Sequence, residues 1–133
     1  MPLLRLLLIL ALVVLLPAAA PAFQPPGLSA DAAAYRSAVL QKRPPQPSPE
    51  AAAAVLAAAR RAHDAGRFDE ALRTFEEAIA QGGEAEAPAL WLTVSDLWTK
   101  VVPANPRRAL QSAWLAYSSA SAPDQRQAAL VRM

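Results

Sequence analysis

The sequence has no cysteine, a single histidine and only four glycines among its 133 residues. Without cysteine the chain forms no disulfide, thiolate metal site, cysteine nucleophile or lipid anchor on cysteine. His63 alone does not build a histidine-rich metal site, and the scattered glycines form no phosphate-binding fingerprint. We therefore expect neither a metal nor any other cofactor.

Neither sign of charge is in large excess, and aromatic side chains are scarce. Thirteen lysines and arginines face eleven aspartates and glutamates, which leaves none of the positive surplus that nucleic-acid binding needs. Aromatic residues are 6% of a chain that is 54% hydrophobic, and the difference is largely alanine, in runs such as Ala51–Ala54 and Ala57–Ala59. Alanine has the highest helix propensity, and no segment has the pattern of a strand. The sequence therefore predicts an all-α protein that does not bind nucleic acid.

The N-terminus has the order of a secretory signal peptide. Arg5 supplies positive charge, and the apolar run Leu6–Leu16 is shorter than the roughly 20 residues that a membrane span needs. Small residues at positions 20–22 predict cleavage between Ala22 and Phe23, so residues 1–22 are removed. The alternative is an uncleaved membrane anchor. The first interpretation predicts a periplasmic or secreted protein that meets the membrane only transiently.

A short helical arm is predicted within residues 23–43, followed by a proline-rich linker at residues 44–49. Ser29 is the predicted cap of the arm helix. Its apolar stripe has helical spacing and consists of Leu28, Ala32, Tyr35 and Val39. The linker also has the composition of a ligand for a proline-binding module, but such modules are scarce outside the cytosol, which favours a plain spacer.

Capping and helix-terminating residues divide the remainder, residues 50–133, into a series of helices. Ser48 before Pro49 is a cap with a first-turn proline, Gly66 is a helix stop, and Asp69 is the predicted cap of the following helix. The predicted helices run from about Pro49 to Ala65, Asp69 to Gln81, Pro88 to Val101, Asn105 to Ser119, and onward from Pro123. In the fourth of these, the predicted inward residues are Ala109, Leu110, Ala113, Trp114 and Tyr117. Short connections predict antiparallel hairpins.

Residues 52–85 resemble a tetratricopeptide repeat, and a looser second unit follows with a longer turn at residues 101–106. Small residues let two helices cross closely, and rings fill the space beside them. The positions that match the pattern, and that we predict to pack the repeats, are Ala59, Gly66, Phe68, Ala71, Phe75, Ala78, Trp91, Val94, Trp98, Ala109 and Ala116. A third unit opens at residues 124–133, so the expected fold is an incomplete array of tetratricopeptide-like hairpins. The alternative is a plain pair of antiparallel hairpins.

A second resemblance covers most of the chain after the signal segment. The stretches that carry it are Gly27–Asp31, Ala34-Tyr35, Arg43-Pro44, Ala89–Leu92 and Asn105–Trp114. They resemble the N-terminus of exported alpha-2-macroglobulin-family proteins of alphaproteobacteria, in which a helical segment precedes β-sandwich domains that trap proteinases. The Cys-Gly-Glu-Gln thioester motif of many family members is absent here. The resemblance implies that the chain is the head of a longer protein that was ended early.

Few side chains suggest chemistry. His63 beside Asp64 has no nucleophile to serve, and adjacent helical positions point apart, so an exposed histidine is favoured over a catalytic one. The acidic neighbours Glu76-Glu77, Glu84 and Glu86 lack calcium-binding spacing and predict a solvated face.

Three other groups have a functional and a plain interpretation. The pairs Arg60-Arg61 and Arg107-Arg108 are either the flanks of a groove for an acidic peptide or ordinary surface arginines, and the latter is favoured. The tryptophans Trp91, Trp98 and Trp114 are either a ligand platform or core, and their helical spacing favours core.

The sequence thus predicts a non-catalytic exported helical-repeat module that binds a protein or peptide. It is either the N-terminal segment of an alpha-2-macroglobulin-like proteinase inhibitor or a free-standing periplasmic adaptor. Nothing in the residues supports an enzyme. The DNA beyond codon 133 distinguishes the first two hypotheses, because only the inhibitor requires a long β-rich continuation.

Overall fold

The computed structural model describes residues 27–82 and 87–133, which form six α-helices and no strand. The helices are α1 (Leu28–Leu40), α2 (Pro49–Asp64), α3 (Phe68–Gln81), α4 (Pro88–Lys100), α5 (Pro106–Ser119) and α6 (Pro123–Arg132). The all-α prediction is confirmed for this part of the chain. The signal segment and its cleavage site at Ala22 and Phe23 lie outside the described residues. None of the helices described has the length and apolar character needed to cross a membrane.

Local signals set most helix ends. The Ser48 side chain accepts a hydrogen bond from the Ala51 amide at 3.0 Å, and Asn105 accepts one from the Arg108 amide at the same distance. Gly66 follows α2 with φ of 76°, a left-handed conformation that side chains disfavour. The predicted Ser48 cap, the predicted helix start at Asn105 and the predicted Gly66 stop are confirmed.

Two predicted caps are wrong. α1 begins one residue before Ser29, after Gly27 with φ of 80°, and no side chain caps it. α3 begins at Phe68 rather than after Asp69. Asp69 lies in the first turn instead, where its negative charge interacts favourably with the helix dipole. In both places the helix starts earlier than the polar side chain indicated.

The first hairpin consists of α2 and α3, and small residues form its interface. Ala59 on α2 and Ala71 and Ala78 on α3 are completely buried. α2 packs against α3 and against no other described helix. Alanine lets the two helix backbones approach closely but contributes little apolar area per residue.

The second hairpin consists of α4 and α5. It buries larger side chains than the first and packs against more helices. Trp91, Val94 and Leu97 on α4 are buried. The Ser95 hydroxyl donates a 2.7 Å hydrogen bond to the Ala109 carbonyl, which joins the two helices in the interior. α3 packs against α4, and α6 packs against both α4 and α5. The second hairpin is therefore the centre of the fold.

The arm helix α1 packs on α3 and α5, so it contributes to the same core as the two hairpins. Its buried residues are the predicted stripe, Leu28, Ala32, Tyr35 and Val39. The proline-rich segment then leads to α2. Before it, the Arg43 Nε donates a 2.9 Å hydrogen bond to the Ala80 carbonyl near the C-terminal end of α3.

The buried face of α5 differs from the prediction. Ala109 and Ala113 are buried as predicted, but Leu110, Trp114 and Tyr117 are only partly buried. Residues outside the predicted inward stripe are buried as well: Gln111, Ser112 and Leu115, together with Ala116, which was predicted as a repeat-packing position. The reason is that three helices, α1, α4 and α6, pack on α5, so α5 is covered on more than one side.

Candidate functional site

A polar cluster, the Tyr35 junction, joins four helices and consists of Tyr35, Lys42, Glu76, Trp98 and Arg108. The Tyr35 hydroxyl accepts a 3.0 Å hydrogen bond from the Trp98 indole Nε1. The Arg108 guanidinium lies 4.3 Å from the centroid of the Tyr35 ring, a cation–π contact. Tyr35 thus connects α1 to α4 and α5 through one side chain.

The Glu76 carboxylate lies inside this junction, with 7% of the residue exposed. Its Oε2 lies 3.7 Å from the Lys42 Nζ. Burial raises the pKa of Glu76 above its ordinary value of 4.5, because the charged form loses hydration, while Lys42, the Tyr35 hydroxyl and Arg108 act in the opposite direction. The prediction that Glu76 belongs to a solvated acidic face is wrong, because α1 covers it. Glu77 is exposed as predicted.

The Tyr35 hydroxyl is shielded in the same way. Burial raises its pKa, and the negative charge of Glu76 raises it further, while the hydrogen bond from Trp98 and the charge of Arg108 lower it. The hydroxyl therefore keeps its proton at neutral pH. The junction thus places the buried carboxyl group of Glu76 beside a neutral phenol.

Beside the junction lies the inter-hairpin groove, of about 640 Å³. One wall is the face of α3 with Asp69, Leu72, Arg73 and Glu76, and the other is Trp98 with the α4–α5 loop, residues 101–105. The groove has apolar side chains in its walls and both signs of charge along α3. Sites that bind peptides combine such features.

The α4–α5 loop is the turn that is longer than the tetratricopeptide pattern. The Asn105 amide donates to the Trp98 carbonyl at 2.9 Å, and the Val101 amide donates to the Leu97 carbonyl at 3.0 Å. Between these bonds, Val102 is 88% exposed. The loop is therefore fixed at both ends and presents an apolar side chain to solvent beside the groove.

A second, smaller depression of about 370 Å³ lies between α1 and the start of α5. Both of its arginines have partners: Arg107 contacts Asp31 at 2.8 Å, and Arg108 donates to Gln111 Oε1 at 3.0 Å. The other predicted pair, Arg60 and Arg61, is exposed on α2, which does not contact α5. Neither of them lines this depression.

His63 and Asp64 are closer than helical geometry predicted. The His63 Nδ1 lies 3.6 Å from Asp64 Oδ1, which is within ion-pair range but too long for a hydrogen bond. The His63 ring packs edge-on against Phe68, with centroids 5.9 Å apart. Among the described residues no group of three potential metal ligands occurs.

The residues predicted to pack the repeats occupy the following places. Eight are buried: Ala59, Ala71, Phe75, Ala78, Trp91, Val94, Ala109 and Ala116. Phe68 and Trp98 are partly buried against the core, as is the third tryptophan, Trp114, and Gly66 is exposed in the α2–α3 turn. Of the tryptophans, only Trp98 lines the inter-hairpin groove.

The burial of Glu76 was not predicted from the sequence. A signal was present, because Glu76 lies four residues after Leu72 and three before Ile79, on the apolar face of α3.

Comparison of the chain with protein-family models, with curated proteins and with solved structures finds no match. The site's own geometry therefore carries the functional conclusion.

Proposed function

We propose that this chain is a non-catalytic, exported helical-repeat module that binds a protein or peptide segment in the inter-hairpin groove. The observation that carries the proposal is the groove itself, formed where α3 meets α4 and bordered by the α4–α5 loop. Extended peptides bind other helical and sheet scaffolds in comparable clefts, where pockets select side chains.

The packing of small residues supports a tetratricopeptide-like arrangement of the hairpins. Ala59 and Ala71 are fully buried where the pattern requires close helix contact in the first unit. Ser95 and Ala109 occupy the matching places in the second unit, and they form the interhelical hydrogen bond. α2 lacks a contact with α4, which a regularly stacked array would have, so the proposed repeats are stacked irregularly.

The proposal has two forms, which differ in where the partner lies. The resemblance to alpha-2-macroglobulin-family proteins favours a partner within a longer inhibitor polypeptide. The alternative is a free-standing periplasmic adaptor whose partner is a separate protein. The inter-hairpin groove supports partner binding in either form.

Peptide selection on the intact chain tests partner binding. Peptides enriched from a random library are synthesised and titrated against the wild type, a groove variant, Val102→Asp, and a control, Val131→Asp, which alters a residue on α6 that is 80% exposed. We expect saturable one-to-one binding that Val102→Asp weakens roughly tenfold, about 1.4 kcal/mol, and that the control leaves unchanged. Failure to obtain any saturating peptide, or equal weakening by both variants, contradicts the proposal.

The proposed export is tested separately. Expressed in a Gram-negative host, the protein is expected in the periplasmic fraction with Phe23 as its first residue, as intact-mass analysis measures. A membrane-bound form that keeps Met1 contradicts cleavage.

A further inference from the structure

Within residues 27–82 and 87–133, α1 packs on the fold through one apolar stripe. This stripe faces α3 and α5, while Ala33 and Ser37 on the other side of the helix are exposed. Isolated helices shorter than about 12–15 residues are marginal in water, so α1, with 13 residues, depends on its packing against α3 and α5 for stability.

The segment after α1 has little structure of its own. Residues 44–47 contain three prolines and make no backbone hydrogen bond with the described residues. Since proline has no amide proton to donate, this segment changes direction without breaking a hydrogen-bond ladder. Displacement of α1 about this segment breaks the bond from Arg43 to the Ala80 carbonyl.

The surface against which α1 packs contains an ionisable group, the Glu76 carboxylate. Tyr35 faces it from α1, Lys42 from the turn that follows α1, and Arg108 from α5. Trp98, which lies nearby on α4, is uncharged, and Asp69 and Arg73 lie along the same groove wall of α3. A docked α1 therefore removes Glu76 from water while bringing one exposed lysine towards it.

From this arrangement we infer that α1 is a releasable helix, and that its attachment weakens as the solvent becomes less acidic because docking must bury the Glu76 carboxylate. This inference does not depend on what the inter-hairpin groove binds. Release of α1 uncovers Tyr35 and the tryptophans that it contacts, Trp91 and Trp98.

The direction follows from proton linkage. In the docked state burial holds the pKa of Glu76 above its ordinary value of 4.5, whereas in the released state the hydrated carboxylate returns to that value. The docked state therefore binds the proton more tightly. Docking is strongest below the ordinary pKa, and it weakens as the pH rises from there through the raised pKa of the docked state. The pKa of Tyr35 is also raised, so Tyr35 acts in the same direction at strongly alkaline pH.

Hydrogen exchange on the intact chain tests the inference. Protection factors of the α1 amides, corrected for the intrinsic pH dependence of exchange, are compared at about pH 5 and about pH 8. We expect wild-type α1 to lose protection at the higher pH while α4 and α5 remain protected. Glu76→Gln, which keeps the shape and an acceptor for Tyr35, is expected to remove this pH dependence.

Glu77→Gln is the matched control, because Glu77 is the exposed neighbour on the same helix. It is expected to behave as the wild type. The inference is overturned if α1 protection does not change with pH, if Glu76→Gln keeps the wild-type dependence, or if α4 and α5 lose protection together with α1. Accessibility of the tryptophans to a fluorescence quencher provides a second measurement, which is expected to increase when α1 is released.

Discussion

The two hairpins, residues 49–81 and 88–119, have the same helix–turn–helix connectivity but are held together in different ways. In the first, α2 presents alanine to α3 and touches no other described helix. In the second, α4 buries Trp91 together with branched aliphatic side chains, and α5 is covered by α1, α4 and α6. Because apolar burial contributes about 25 cal/mol per Å², large side chains with several neighbours contribute more than alanines with one. The second hairpin is therefore expected to be the more stable part.

The difference also explains where the candidate sites lie. The Tyr35 junction and the inter-hairpin groove share Trp98 of the second hairpin and Glu76 on the α3 side of the first. The outer helix α2 contributes no residue to either. The second hairpin thus forms one wall of the groove and α3 the other, while α2 packs on α3 outside the groove.

Truncation of the largest core side chain is expected to have the strongest effect. Trp91 is 1% exposed, so Trp91→Ala is expected to lower the free energy of unfolding by about 3–5 kcal/mol. Leu56→Ala in α2, where the side chain is half-buried, is expected to cost less than about 2 kcal/mol. Urea denaturation measures the free energy of unfolding of both variants. Equal losses would contradict the proposed difference in stability between the two hairpins.

Enlarging an alanine tests the close contact within the first hairpin. Ala71 is fully buried against α2, so Ala71→Leu is expected to overpack the interface and cost about 1–3 kcal/mol. Ala53→Leu is the control, because Ala53 is exposed on α2 and its change is expected to stay within about 0.5 kcal/mol. Thermal denaturation detects the difference. An Ala71→Leu variant as stable as the wild type would contradict close packing and the repeat pattern with it.

The smallest effect is expected at a helix cap. Ser48→Ala removes the hydrogen bond to the Ala51 amide and is expected to cost about 1 kcal/mol, mainly by fraying the start of α2. Ser29→Ala is the matched control, because Ser29 lies inside α1 and caps nothing. Circular dichroism during urea denaturation compares the two variants. If Ser29→Ala proves the more damaging, the assignment of the two caps is incorrect.

Local chemistry made much of this fold predictable. Ser48, Gly66 and Asn105 mark helix ends through their own hydrogen bonds or backbone angles, so the sequence indicates them without knowledge of the tertiary fold. The apolar stripe of α1 was predictable for the same reason, because helical spacing alone selects it.

The position of α1 was not predictable from such signals. Its packing on α3 and α5 joins segments far apart in the sequence, and it changes which side chains are buried on both. Glu76 became buried, and Ser112 and Leu115 replaced Trp114 and Tyr117 as buried residues of α5. The candidate site depends on this packing: Tyr35, Glu76, Trp98 and Arg108 were named from the sequence in separate patterns, and nothing in those patterns indicated that they lie together.

Native-state hydrogen exchange of the intact chain at a single pH tests the asymmetry of the two hairpins most directly. The amides of α4 and α5 are expected to exchange only through global unfolding, and those of α2 through a local opening of lower free energy. The same protection in α2 as in α5 would contradict the account, because it would show that the alanine-packed helix is held as firmly as the tryptophan-centred hairpin.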